Sequence, residues 1–120
     1  MHEVSLMQNM MTVVTAAAEA QGGGKVMTIH LKIGRMAGVN ADSLRFAFDI
    51  LSKGTVAEDG KLEIETIPLK IHCRGCSEDF NPEQFSLTCS SCGSKDMIIV
   101  SGREMEVDYI LLEDEKSEIG

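Results

Sequence analysis

Apolar side chains near the start of the chain recur every three or four residues, which predicts a helix over residues 4–20. The apolar stripe consists of Val4, Met7, Met10, Met11, Val14, Ala17 and Ala18. Three glycines, Gly22, Gly23 and Gly24, follow the stripe and end the helix. Thioethers can bind soft metal ions, but methionines at helical spacing are expected to fill a core.

Residues 26–33 alternate between apolar and mostly polar positions, which predicts a half-buried strand. The apolar side is predicted to hold Met27, Ile29, Leu31 and Ile33, and the other side Val26, Thr28, His30 and Lys32. His30 is therefore expected to face solvent and to be a weak metal-ligand candidate. Asn40 or Asp42 can then cap a second helix. Its apolar face is predicted to consist of Leu44, Ala47, Phe48 and Leu51.

Two further strands are predicted on either side of a cysteine segment. The first covers about 62–71 and contains Pro68, which marks an edge or a bulge. The second covers about 97–112, with Gly102 as a bulge and with Tyr109 and Leu111 on its apolar side. These strands are long enough to pair as an extended ribbon that carries the cysteines at its tip.

The predicted fold class is α+β, with two helices on a three-stranded sheet and an inserted four-cysteine zinc ribbon. The main domain is expected to be discontinuous, over residues 1–70 and 95–120, and the zinc-ribbon module to span 71–94. The charged tail that begins at Glu113 is expected to fray.

Composition and charge narrow the class of function. The chain has 120 residues, 43% hydrophobic and 25% charged, which is typical of one globular domain with a small satellite. Its net charge is −8, with −1 on residues 1–60 and −7 on residues 61–120. This charge opposes phosphate binding and suits a basic partner or a cation, although it can also serve solubility alone. Without a signal sequence or a long apolar run, we expect a cytoplasmic protein that binds no membrane.

The four cysteines form the pattern C-x2-C-x12-C-x2-C, which predicts a metal site made by Cys73, Cys76, Cys89 and Cys92. Each pair can curl around one ion, with sulfurs about 3.7 Å apart around a metal whose Zn–S bonds measure about 2.3 Å. Four thiolates leave no open coordination position, so the site is expected to be structural. Zinc is the first choice, but a rubredoxin-like iron site has similar loops. Disulfides or redox C-x2-C chemistry fit less well, because two tandem pairs favour one shared ion.

The amino terminus, Met1-His2-Glu3, offers a second metal site. The α-amine, the amide nitrogen of residue 2 and the His2 imidazole can chelate one ion in rings of five and six members. Three nitrogens in a plane suit square-planar Ni(II) or Cu(II), and Glu3 can add a ligand. A histidine at position 2 can equally be an exposed residue on a mobile end.

Together these features resemble the HypA/HybF family of hydrogenase maturation nickel chaperones. The resemblance covers the whole chain: Met1-His2-Glu3 opens an amphipathic helix, an α+β segment follows, and the four-cysteine motif precedes the strand that contains Tyr109. It implies nickel binding by His2, assisted by the Met1 amine and Glu3, and zinc binding by the four cysteines. In some members an acidic residue at the start of the second helix contributes, and Asp42 lies near that place.

The resemblance further implies that Ni²⁺ is transported while Zn²⁺ is structural. The implied partners are a maturation GTPase of the nickel-insertion pathway and the large subunit of [NiFe]-hydrogenase, and in some members the urease maturation proteins. We expect no catalytic turnover, because the sequence shows neither a nucleophile–base pairing nor a phosphate loop.

Two other functions remain open from the sequence. A nucleic-acid-binding zinc ribbon or transcription accessory protein would need a basic face and stacking aromatics, whereas this chain is acidic and has five aromatic residues. A small iron electron-transfer protein would be red, because ferric iron bound by four cysteines is coloured and zinc is not.

Overall fold

In the computed structural model, residues 2–82, 86 and 88–113 are described, except for the side chain of His2. The chain divides into two compact units. We call the first the helical unit; its described residues are 2–32, 39–65 and 106–113. The second, the cysteine unit, comprises Ile33–Gly38 and the described part of Thr66–Met105. The domain boundaries predicted from the sequence remain a prediction.

Two helices pack against each other in the helical unit. Helix α1 spans His2–Ala20 and helix α2 spans Ala41–Leu51. The predicted methionine stripe of α1 is confirmed as core, because Met7, Met10 and Met11 are buried. Helix α2 buries Leu44, Ala47 and Phe48. Its N-cap is Asn40, whose side chain accepts a hydrogen bond from the Ser43 N–H at 2.9 Å and so satisfies one unpaired donor of the first turn.

Three strands form the first sheet, in the order β2-β1-β6. Their bounds are Val26–Gly34 for β1, Lys61–Ile67 for β2 and Met105–Leu112 for β6. The buried side of β1 carries Ile29, Leu31 and Ile33, as the alternation predicts. The first two residues of β1 are reversed, since Val26 is buried and Met27 is 45% exposed. The Val26 N–H binds the Val56 carbonyl, which holds the start of the strand against the 56–60 segment.

The second sheet lies in the cysteine unit and has the order β4-β3-β5. Strand β3 spans Lys70–Cys73, β4 spans Asp79–Phe80 and β5 spans Met97–Ser101. Strand β3 pairs antiparallel with both neighbours. Strands β3 and β5 lie at the ends of the second and third predicted strands that are nearest the cysteines, and only β4 was not predicted.

Only the half of the predicted ribbon next to the cysteines forms, as the antiparallel pair β3–β5. The two expected strands each break in the middle, at Pro68-Leu69 and at Gly102-Arg103-Glu104, and β2 and β6 lie on opposite sides of β1 instead of pairing. Gly102 has a φ of 116°, and a Cβ built on Gly34 would lie 2.1 Å from the Gly102 backbone. Glycine at both positions allows this close approach, and the turn at Gly102 ends the strand instead of bulging it.

Strand β6 also departs from the predicted alternation, because Tyr109 and Leu111 are 44% and 52% exposed. The Tyr109 ring lies flat on the imidazole of His30, with centroids 4.8 Å apart, and this contact places it on the open face of the sheet. The charged tail beyond Glu113 lies outside the described residues. None of the helices in the described part of the chain is long and apolar enough to cross a membrane.

Candidate metal sites

The four cysteines predicted from the sequence converge on one point in the cysteine unit. The Sγ atoms of Cys73 and Cys92 lie 3.6 Å apart, and those of Cys76 and Cys89 lie 3.8 Å apart. All four ligand atoms fall within 4.8 Å of one another, and all four are free thiols. We call this group the cysteine cage. A tetrahedron of Zn–S bonds of about 2.3 Å has edges of about 3.7 Å, so the cage fits zinc.

Two turns with matching hydrogen bonds build the cage, over residues 73–78 and 89–94; we call them the knuckles. In the first, the Cys73 N–H donates to the Glu78 carbonyl and the Ser77 N–H donates to the Cys73 carbonyl. The second repeats both bonds between Cys89, Ser94 and Gly93. The repeated bonds show that both C-x2-C pairs take the same backbone conformation.

Each knuckle places the residue after its second cysteine in the left-handed region. Gly93 has a φ of 77°, as expected for glycine, but Ser77 has a φ of 65°. Gly75 serves a different purpose, because a Cβ there would lie 2.7 Å from the Ser94 side chain. Both glycines therefore ease these loops, Gly93 by its conformation and Gly75 by its small size.

The thiols of the cage have very different acidities. The backbone N–H groups of Cys92 and Ser91 point at the Cys89 sulfur and lower the pKa of its thiol to about 7. At Cys76 the backbone N–H of Glu78 lowers the pKa, but desolvation and the three neighbouring thiols outweigh it and raise the pKa to about 12. Four adjacent thiolates repel one another, so a cation is needed to deprotonate the whole cage.

Two pairs of charged side chains form hydrogen bonds in and beside the second sheet, close to the cage. Arg74 donates two hydrogen bonds from its guanidinium to the Asp96 carboxylate, at 3.0 and 2.8 Å, and its backbone N–H donates to the Asp96 carbonyl. Across β3 and β4, the His72 imidazole binds the Asp79 carboxylate. The contacts between Arg74 and Asp96 thus link the first knuckle to the segment that follows the second knuckle.

The predicted amino-terminal site is described only in part, because Met1 and the His2 side chain lie outside the described residues. Helix α1 begins at His2, so His2 and Glu3 lie in its first turn. The Glu3 carboxylate accepts a hydrogen bond from the Asn40 backbone N–H at 3.0 Å. Asn40 is the N-cap of α2, and Asp42 lies in the first turn of α2. The first turns of the two helices therefore lie side by side.

His30 was expected to face solvent, but both nitrogens of its ring lie against carboxylates and the ring stacks on Tyr109. Its side chain is 17% exposed, Nδ1 lies 3.1 Å from the Glu63 carboxylate, and Nε2 lies 2.9 Å from the Glu65 carboxylate. Asp108 approaches Nε2 at 4.0 Å. We call His30, Glu63, Glu65 and Asp108 the His30 cluster. Glu63 and Glu65 alternate along β2, and this pattern was the signal for the cluster that the sequence offered. Only the strand order showed that β2 lies beside β1 and so brings these glutamates to His30.

Comparison with known proteins decides the family. A family model described as "Hydrogenase/urease nickel incorporation, metallochaperone, hypA" matches residues 1–112. The chain belongs to the HypA family. This confirms the resemblance seen in the sequence, and with it membership of a nickel metallochaperone family that functions in hydrogenase maturation.

Relatives and solved structures agree with the HypA assignment. The hydrogenase maturation factor HypA of Chlorobaculum tepidum is 38% identical over 113 residues, which cover 94% of this chain and 100% of that protein. The factor of the same name from Picosynechococcus is 37% identical over 107 residues, or 89% and 95% of the two chains. The solution structure of the Ni metallochaperone HypA from Helicobacter pylori has a TM-score of 0.68 at 23% identity, covering 94% and 98% of the two chains. The last match supports the fold.

Proposed function

We propose that this protein binds one Ni(II) ion at Met1, His2 and Glu3 and delivers it for assembly of the [NiFe]-hydrogenase active site. In the same proposal, Cys73, Cys76, Cys89 and Cys92 hold a structural zinc ion that joins the two knuckles, and the protein acts in the cytoplasm without catalytic turnover. Family membership supports the nickel role, and the spacing of the sulfurs supports the zinc role.

The observation that carries the nickel site is the hydrogen bond from the Asn40 N–H to the Glu3 carboxylate. It holds the first turn of α1 beside the first turn of α2, where Asp42 adds a second carboxylate. The first four N–H groups of a helix have no acceptor within that helix. The amide nitrogen of His2 is therefore not needed for α1 and is available as a ligand.

The same arrangement explains why nickel would be bound weakly enough to be passed on. The positive ends of two helix dipoles lie at this place, and they disfavour a cation by an amount typically on the order of 0.3–1 kcal/mol each. Glu3 and Asp42 offset that field without enclosing the ion. A site with few protein ligands at the chain end can exchange its ion with a partner.

The proposed partners are a maturation GTPase of the nickel-insertion pathway, the hydrogenase large subunit and, as the family description allows, the urease maturation proteins. The net charge of −8 favours basic surfaces on these partners. The alternative of a nucleic-acid-binding zinc ribbon predicts a salt-dependent affinity for DNA or RNA, and the acidic charge opposes it.

Nickel titration of zinc-loaded, untagged protein tests the proposal. His2→Ala is expected to abolish tight nickel binding and to leave zinc content and far-UV circular dichroism unchanged. His72→Ala provides the matched control, since His72 is the histidine beside the cage, next to Cys73. Nickel affinity that survives His2→Ala and disappears in His72→Ala would place the ion beside the zinc instead and refute the amino-terminal site.

A further inference from the structure

The open face of the first sheet carries a group of metal-binding side chains that the amino-terminal and zinc sites do not use. His30 lies on β1, Glu63 and Glu65 lie on β2, and Asp108 lies on β6. The ligand atoms of His30, Glu65 and Asp108 all lie within 4.8 Å of one another. From this geometry we propose that the His30 cluster binds a divalent transition-metal ion through His30 Nε2 and the carboxylates of Glu65 and Asp108.

The distances are close to those that one ion requires. Ligand atoms bound at about 2.0–2.2 Å lie about 3 Å apart in octahedral and about 3.4 Å apart in tetrahedral coordination. His30 Nε2 lies 2.9 Å from a Glu65 oxygen and 4.0 Å from an Asp108 oxygen. A rotation of the Asp108 side chain closes the remaining gap, and that side chain is 30% exposed.

The other ring nitrogen of His30 is already held as metal-binding histidines usually require. Its Nδ1 lies 3.1 Å from the Glu63 carboxylate, which can accept the Nδ1 hydrogen bond while Nε2 exchanges its proton for an ion. The Tyr109 ring stacks on the imidazole, with planes 1° apart, and fixes its orientation. The carboxylate–histidine–metal arrangement therefore exists before an ion binds.

The ligand set indicates which ions fit. One imidazole and two carboxylates suit Ni(II), Co(II) or Zn(II) better than Mg²⁺, which prefers oxygen ligands alone, or Cu(I), which prefers sulfur. The Glu65 side chain is 49% exposed, so water can reach the site and fill the remaining coordination positions. The site is open and shares no ligand with either the amino terminus or the cysteine cage.

Protons compete with the ion at this site. Hydrogen bonds to Glu65 and then Glu63 raise the pKa of His30, and the charge of Asp108 adds to the effect. Lys32 lies 3.8 Å from Asp108, and Lys61 lies 3.6 Å from Glu63, so the cluster also has two basic neighbours. Because the ion must displace the Nε2 proton, its affinity should increase with pH.

The test uses zinc-loaded, full-length protein that carries His2→Ala, so that the amino-terminal histidine does not contribute. Isothermal calorimetry with Ni(II) at pH 8 should show one site in this background, weaker than the tight site that is lost with His2. Adding His30→Gln should remove it, and adding Glu65→Gln should weaken it at least about tenfold. Adding Glu63→Gln should cost about 10-fold, as substitutions of such orienting carboxylates typically do. Adding His72→Gln is the matched control, because it alters a histidine–carboxylate pair in which a single carboxylate, Asp79, binds the ring.

A spectroscopic measurement separates metal binding from any structural effect of the substitutions. Ni(II) bound by one imidazole and oxygen ligands is high-spin and paramagnetic, so it should broaden the NMR signals of the His30 and Tyr109 rings. Absence of nickel binding in the His2→Ala protein, or equal binding after His30→Gln, would overturn the proposal. Neither result would affect the amino-terminal site, which is measured separately in protein that retains His2.

Discussion

The cysteine cage and the amino terminus differ in how completely the fold positions the metal ligands before an ion binds. The cage draws four sulfurs from two knuckles with the same backbone hydrogen bonds, and two of its cysteines, Cys73 and Cys89, are buried. Of the proposed amino-terminal ligands, His2 and Glu3 lie in the first turn of α1, where the Glu3 carboxylate accepts a hydrogen bond from the N-cap residue of α2. A closed and preorganised cage retains its ion, whereas ligands at a chain end can release theirs, as delivery requires.

Removal of one cage ligand should have the largest effect on either metal site. Cys73→Ala leaves three sulfurs, and zinc binding of this type contributes on the order of 10 kcal/mol to the fold around it. We expect loss of zinc and unfolding of the knuckles, while helices α1 and α2 persist. Elemental analysis and circular dichroism measure the two effects. Cys73→Ala protein with full zinc content would contradict the assignment of the cage.

Extension of the chain by one glycine before Met1 should disable the native nickel site although His2 is unchanged. The α-amine then becomes a peptide nitrogen, whose lone pair is delocalised and which is a poor ligand while protonated. The new amine, two deprotonated amide nitrogens and the His2 imidazole can still chelate nickel, in a different square-planar arrangement of four nitrogens. We therefore expect both the nickel affinity and the visible spectrum to change, because the native ligand set that includes Glu3 is lost.

Calorimetry and the visible d–d spectrum of nickel measure this change, and zinc content is the control. Identical affinity and identical spectra with and without the added glycine would show that the amine is not a ligand. The nickel site would then reduce to the His2 imidazole with other groups.

A decrease in pH from 8 to 6 should release nickel before zinc. An ion must displace protons from the α-amine, whose reference pKa is about 7.7–8.0, and from imidazole, near about 6.5, so nickel affinity falls as pH falls. In the cage, N–H groups lower the pKa of Cys89 to about 7. In the metal-free cage the stability that this thiolate contributes is present above the usual thiol pKa and is lost as pH falls through about 7; bound zinc competes with the proton and moves that loss to lower pH.

Dialysis at each pH followed by metal analysis gives the order of release. If zinc were lost at a higher pH than nickel, the amino-terminal site, and not the cage, would be the one that retains its ion more firmly.

The smallest expected effects come from the left-handed residues of the two knuckles. Gly93→Ser should weaken zinc binding by about 1 kcal/mol, because a Cβ is unfavourable at a φ of 77°. Ser77→Gly should strengthen it by less than about 1 kcal/mol, since relief of strain is partly offset by the entropy of glycine. Competition with a chelator measures both. If both substitutions changed the zinc affinity by the same amount in the same direction, backbone strain at these positions would not limit zinc binding by the cage.

The sequence by itself was sufficient to predict the cysteine cage and most of the elements. The cage was predictable because its ligands lie in two short motifs whose spacing dictates the local backbone. Both helices and β1 were predictable because apolar periodicity reflects which face is buried, as Met7 and Leu31 illustrate. Pro68 and Gly102 were recognised as interruptions, but a bulge and a strand end look alike in sequence.

Only the tertiary structure decided which strands pair and which distant side chains meet. The order β2-β1-β6 separates β2 from β6, although β3 and β5 pair as the ribbon predicts, and it brings Glu63, Glu65 and Asp108 to His30. Local patterns specify the face on which a side chain lies but not the neighbouring strand, because pairing depends on packing across the whole sheet. The cysteine cage could therefore be predicted from the sequence, and the His30 cluster could not.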